Sequence, residues 1–162
     1  MDLDILAQQV GAQLRKQALM LATAESCTGG WVAKVVTYIA GSSTWFERGF
    51  ITYTNVAKQE LLGVRAETLA AHGAVSEVTV AEMAEGALAR SHAQVSLAVS
   101  GIAGPGGATL YNPVGLVCFA WCRAGQAVVT SNEHFAGDRD AIRRQAVARA
   151  LRGVLDVLNR EV

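Results

Sequence analysis

The chain has 162 residues, 51% hydrophobic and 17% charged, and its 14 basic side chains balance 14 acidic ones to a formal net charge of zero. That length makes one ordinary domain able to bury a core, the composition excludes disorder, and the charge balance leaves no basic surplus for a nucleic-acid face. No apolar run reaches the roughly 18–20 residues of a membrane span, the acidic start Met1-Asp2-Leu3-Asp4 is unlike a secretory leader, and three cysteines without a CxxC pair exclude a disulfide framework, so a cytoplasmic protein is expected.

Residues 3–17 set Leu3, Leu6, Val10 and Leu14 on one side, which predicts a helix. The apolar run 19–25 reads as a buried strand. Trp31, Val32, Val35, Val36 and Ile39 then recur at helical spacing and give a helix from about 28 to 39. Phe46 to Thr54 is rich in β-formers and reads as a second strand. Ala57 to Leu62 is a short helix ended by Gly63, and Glu67 to Ala71 is another. Ser76 caps a longer helix to about residue 91, with Val80, Ala84, Ala87 and Leu88 inward. Val95 to Val99 is a strand. Val114 to Trp121 and Ala127 to His134 form a hairpin around Ala124-Gly125, with Cys118 and Cys122 as core residues. Asp138 caps a final helix that turns Val147, Leu151, Val154, Leu155 and Leu158 inward.

No repeat, low-complexity tract or linker interrupts this order, so one domain over residues 1–162 is expected. Strands alternating with helices, then a hairpin before the last helix, predict an α/β layered domain with a mixed sheet. Ala24-Glu25-Ser26-Cys27-Thr28-Gly29-Gly30 and Gly101-Ile102-Ala103-Gly104-Pro105-Gly106-Gly107 both leave strands at their carboxyl ends. Ligands bind there in open α/β sheets, so Ser26–Gly30 and Gly101–Gly107 are expected to line one cleft.

Ser26 is a candidate nucleophile, and its competing reading is a helix cap. Thr28, directly before Gly29-Gly30, fits the cap and leaves Ser26 free. Glycines in a first helical turn cost about 1 kcal/mol each against alanine, and are easier to explain if something approaches the backbone closely. Cys27 is the rival nucleophile, favoured by a helix N-terminus, or else a small buried hydrophobe. His72, His92 and His134 stand in no motif and no GxSxG elbow exists, which disfavours a Ser-His-Asp triad. Lys58 follows the Phe46–Thr54 strand at the next strand-to-helix junction. As a base it must be neutral, which needs its pKa lowered from about 10.4 to about 7–8 by burial or a neighbouring cation. The competing reading is a solvated helix residue. Tyr53 is placed to hold or relay the proton.

Arg139 and Arg143 share one face of the last helix at i, i+4. Either they make a solvated ion-pair face with Asp138 and Asp140, or they hold an anion together with the Gly101–Gly107 loop. Glu25 is a possible metal ligand or acid. No HxxxH, HExxH or DxDxDG spacing accompanies it, so no metal is expected.

Together these segments resemble the CinA carboxy-terminal domain family. The resemblance is carried by Ala24–Gly30, Gly41-Ser42-Ser43-x-Trp45-Phe46, Tyr53-x-Asn55-x-x-Lys58, Gly73-Ala74-Val75-Ser76, Gly101–Pro105, Pro113-Val114-Gly115 and Gly137-Asp138-Arg139. It spans nearly the whole chain. Stand-alone members of that family are nicotinamide-nucleotide amidases, which convert nicotinamide mononucleotide to nicotinate mononucleotide and ammonia. The resemblance therefore implies that activity, a place in pyridine-nucleotide salvage, a three-layer α/β/α sandwich with a mixed sheet, a homo-oligomer and no cofactor. It implies Ser26 as nucleophile, Lys58 as base and Tyr53 assisting. Cys27, Thr28, Gly29 and Gly30 would supply oxyanion donors, and Gly101, Ile102, Ala103 and Gly104 with Arg139 or Arg143 would hold the phosphate. Asn112 stands where the family usually has a lysine, which puts phosphate affinity or substrate choice in question. The family also occurs fused behind a pyrophosphatase domain, so a non-catalytic nucleotide-binding partner is the alternative. The chain opens directly on its first predicted helix, which favours the stand-alone enzyme.

Overall fold

Alternation along the strands divides the apolar residues between the two faces of one sheet. The computed structural model describes residues 2–160. The strands are β1 (Leu21–Glu25), β2 (Phe46–Ile51), β3 (Val95–Gly101), β4 (Leu116–Arg123) and β5 (Val129–His134), in the spatial order β2-β1-β3-β4-β5. β1 is parallel to β2 and to β3, while β4 runs antiparallel to both β3 and β5. The helices are α1 (Leu3–Lys16), α2 (Trp31–Thr37), α3 (Asn55–Leu62), α4 (Ala66–His72), α5 (Glu77–Ala89) and α6 (Arg139–Leu158). Leu21, Leu97, Val99 and Phe119 face a core shared with α1, α2 and α6. Ala24, Ala98, Cys118 and Ala120 face a second core shared with α4, α5 and the end of α3. The result is the expected three-layer α/β/α sandwich with a mixed sheet.

Three of the predicted boundaries that move do so for a local reason near the site. β1 begins at Leu21 rather than 19, because Ala18 is left-handed (φ 55°) and Leu19 N–H still closes α1 on Leu14 O. β2 ends at Ile51 rather than Thr54: Thr52 N–H turns to Glu25 O, and the Thr54 hydroxyl accepts from Ala57 N–H to cap α3. α2 begins at Trp31 rather than 28, because Gly29 and Gly30 take φ of 59° and 102°.

Two close approaches seat the helices that serve the site. Gly153 of α6 lies flat on the Trp121 ring, whose Nε1–H donates to Ala150 O at 2.9 Å. Gly86 of α5 lies against the Leu62 carbonyl at the end of α3, with no room for a Cβ. Gly86→Ala is expected to destabilise the protein by about 1–3 kcal/mol through overpacking. Urea unfolding would show it as a lower midpoint at unchanged slope.

Candidate active site

Period-2 alternation continues past the end of β1 and decides what each side chain of the turn meets. Ala24 lies in the core beside α5, and Cys27 lies in the core beside α6. Between them Glu25 turns toward α2 and Ser26 toward α3. The Glu25 carboxylate is buried and accepts from Thr28 Oγ1 (2.6 Å), Val32 N–H (2.9 Å) and Ala33 N–H (3.1 Å). It therefore caps α2 from the preceding strand, where the left-handed Gly30 offers no side chain to do so. Thr28 is not the cap expected from its position but a donor to Glu25. The three donors give the Glu25 carboxylate a structural part, holding the turn and the start of α2.

Ser26 N–H donates to Val99 O at 3.0 Å, which ties the turn to the end of β3. Lys58 Nζ lies 2.9 Å from Ser26 Oγ and 2.9 Å from Thr52 O. The reading of Lys58 as a solvated helix residue is corrected here: it is 1% exposed. Thr52 N–H on Glu25 O folds the β2–α3 connection across the end of β1, and the Thr54 cap then starts α3 with Lys58 beneath the turn. Burial holds the Lys58 pKa below its ordinary value, opposed by a smaller effect of Cys27. No carboxylate of the described residues pairs with it. A buried amine with no counter-ion, bonded to a serine hydroxyl, has the geometry that a general base needs toward a nucleophile.

Cys27 sits in a setting that disfavours it as the rival. Burial, with the Glu25 charge second, pushes its thiol up to about 12. The thiolate is the reactive form, and this shift works against it.

Ser26, Cys27 and Lys58 open onto a cavity of about 270 Å³, whose other walls include Tyr53, Gly101–Gly104 and Arg139. The expected single cleft is thus met in part: Ser26 and Cys27 share it with the Gly101–Gly107 segment, while Thr28, Gly29 and Gly30 do not line it. Arg139 bridges its mouth, donating to Gly104 O (2.8 Å) and to the Tyr53 hydroxyl (3.1 Å). Tyr53 makes no hydrogen bond to Lys58 or Ser26, so the proton relay expected of it has no geometry here. Ala74, Val75 and Ser100 also line the cavity. They are missed as site residues by sequence reasoning, although the Gly73-Ala74-Val75-Ser76 motif carries a signal for two of them.

Four expected binding residues lie elsewhere. Thr28, Gly29, Gly30 and Arg143 line a neighbouring hollow of about 400 Å³. Arg143 does not point at the cavity as a phosphate ligand. Its Nε donates to Cys27 O (3.0 Å) and its Nη2 to Thr28 O (3.1 Å), with the guanidinium 5.6 Å from the Trp31 ring centroid. The reason is reach: one helical turn beyond Arg139, it meets the nucleophile turn rather than the cavity mouth. Among the expected oxyanion donors, Gly29 N–H is taken by Ser26 O (3.1 Å) and Thr28 is wholly buried. Cys27 lines the cavity, and its N–H meets its own thiol but no acceptor from another described residue.

The family model described as the CinA C-terminal domain matches residues 3–158. The chain is 58% identical over 146 residues to the nicotinamide-nucleotide amidohydrolase PncC of Escherichia coli (strain K12), covering 90% of this chain and 88% of that protein. It is 50% identical over 158 residues to a putative competence-damage inducible protein of Symbiobacterium thermophilum, covering 93% of this chain but 37% of that longer protein. Among solved structures, the competence/damage inducible protein CihA from Agrobacterium tumefaciens superposes with a TM-score of 0.94 at 45% identity, covering 99% of this chain and 97% of that one.

Proposed function

The chain belongs to the CinA C-terminal domain family, and from that premise we propose that it is a nicotinamide-nucleotide amidase working through a Ser26–Lys58 dyad. One observation carries the mechanism: the 2.9 Å contact between a buried, unpaired lysine amine and the Ser26 hydroxyl on the cavity wall. The relative named as a nicotinamide-nucleotide amidohydrolase supplies the substrate class.

In this reading Lys58 is neutral when substrate binds. Ser26 Oγ attacks the carboxamide carbon as its proton passes to Lys58 Nζ. The carbonyl oxygen becomes an oxyanion held by Cys27 N–H, an interaction typically worth about 3–4 kcal/mol of barrier. As the intermediate collapses, the C–N bond breaks and Lys58 returns its proton to the departing nitrogen, which leaves as ammonia. The acyl ester on Ser26 is then cleaved by water, with Lys58 again accepting the proton and returning it to Ser26. The products are nicotinate mononucleotide and a regenerated dyad.

Arg139 is the cation that remains at the cavity mouth, and it is the proposed phosphate ligand. Meeting the phosphate requires it to give up part of its hold on Tyr53 or Gly104. Arg139→Ala is expected to raise KM for nicotinamide mononucleotide roughly 10- to 100-fold, the size of a lost charged hydrogen bond, with a smaller change in kcat. Hydrolysis of free nicotinamide, which lacks the phosphate, should not respond to the substitution. Steady-state ammonia release on both substrates tests this. It also tests the substrate class, because a protein that prefers free nicotinamide is not a nucleotide amidase.

A cytoplasmic homo-oligomer is proposed on the family resemblance alone. No helix among the described residues is long and apolar enough to cross a membrane.

A further inference from the structure

We infer that Arg143 is a positioning residue for the oxyanion donor: through two peptide units it orients and polarises the Cys27 N–H beside Ser26. The inference rests on the amidase reading for its kinetic consequence and on the turn's own hydrogen bonds for its geometry.

A trans peptide unit carries its C=O and the next residue's N–H on opposite sides of one rigid plane. Arg143 Nη2 donates to Thr28 O at 3.1 Å. The N–H of that same peptide is Gly29's, and it donates to Ser26 O at 3.1 Å. The N–H of that next peptide is that of Cys27, a residue that lines the cavity; it meets its own thiol but no acceptor from another described residue, so a stronger acceptor can take it. The order is guanidinium, peptide, peptide, Cys27 N–H. Each carbonyl that accepts a hydrogen bond makes its own N–H a stronger donor, by about 10–30% per link. A cation at the head of the chain adds to this in the direction a developing oxyanion needs.

The second bond of Arg143, Nε to Cys27 O at 3.0 Å, holds the peptide in between. Free to rotate, that peptide would spoil the alignment of the Ser26–Cys27 and Thr28–Gly29 peptides on either side of it. Glu25 grips the opposite side of the turn through Thr28 Oγ1, so the turn is fixed from two directions. Arg143 is held in turn by its position on α6 and by the Trp31 ring. Its two named bonds go to backbone carbonyls and it does not line the reaction cavity, which separates it from Arg139.

The experiment compares wild type with Arg143→Ala and Arg143→Lys in steady-state ammonia release and in backbone amide NMR. Arg143→Ala is expected to lower kcat about 10- to 100-fold, a weakening rather than a removal of one oxyanion donor, with KM within about threefold. Added guanidinium ion should restore part of kcat. Arg143→Lys keeps the charge but not the two-pronged donor, so it should recover only part of the loss. In both variants the Gly29 and Cys27 amide protons should shift upfield while those of β4 and β5 stay in place. Unchanged kcat, a raised KM at preserved kcat, or unmoved Cys27 and Gly29 amides would overturn the assignment. A wild-type protein that releases no ammonia would instead refute the amidase reading, and the amide shifts would still decide the role of Arg143.

Discussion

Ser26→Ala is expected to cut ammonia release from nicotinamide mononucleotide by roughly 10⁴-fold or more, the scale seen when a serine nucleophile is removed. Cys27→Ala should keep kcat within about tenfold. The two residues are neighbours in sequence and opposite in setting. Ser26 Oγ meets the Lys58 amine at 2.9 Å, whereas the Cys27 thiol is pushed up to about 12 by burial and by the Glu25 carboxylate. Cys27 enters the chemistry through its backbone N–H, which alanine retains. If the pattern came out reversed, the thiol would be the nucleophile. The kinetics of the two single variants, with circular dichroism to verify folding, decide between them.

Lys58→Met should lower kcat by roughly 10³- to 10⁴-fold, at the upper end of general-base contributions. The loss should hold at every pH, because methionine has no proton site for alkali to uncover. In wild type, kcat/KM should rise with pH through the Lys58 pKa, which burial holds below its ordinary 10.5. The same shift fixes the sign of the stability effect. Between the depressed folded value and 10.5 the unfolded chain binds the proton and the folded one does not. Stability therefore rises with pH across that window and is diminished below it. Removing the buried amine should thus raise the melting temperature near neutral pH while abolishing turnover. Activity and stability moving in opposite directions is a signature of a strained catalytic group. Full recovery of Lys58→Met activity at high pH, or a lowered melting temperature, would count against Lys58 as the buried base.

The layers of the fold are legible in the chain because they depend on short-range periodicity. The inward set Val147, Leu151, Val154 and Leu158 marks the buried face of α6, and the apolar run from Val95 marks β3. The convergence of Ser26 and Cys27 with the Gly101–Gly107 segment is legible, because strand ends converge in an α/β sheet. What periodicity does not reveal is which polar groups are brought together across the chain. Lys58 stands on a helix with mixed neighbours and reads as solvated by pattern alone. Its burial follows from Thr52 N–H reaching Glu25 O, a contact between segments 27 residues apart. Glu25 likewise reads as an acid or ligand until α2 folds back and presents Val32 and Ala33 N–H to it. Arg139 and Arg143 look equivalent at i, i+4. A single turn of α6 separates a residue at the cavity mouth from one that grips the nucleophile turn.

The most direct test is the product balance of the wild-type protein beside Ser26→Ala, on nicotinamide mononucleotide. The Ser26–Lys58 amidase predicts one ammonia and one nicotinate mononucleotide per substrate consumed, and neither from the variant. Substrate bound by wild type without release of ammonia, or turnover that survives in Ser26→Ala, would contradict it.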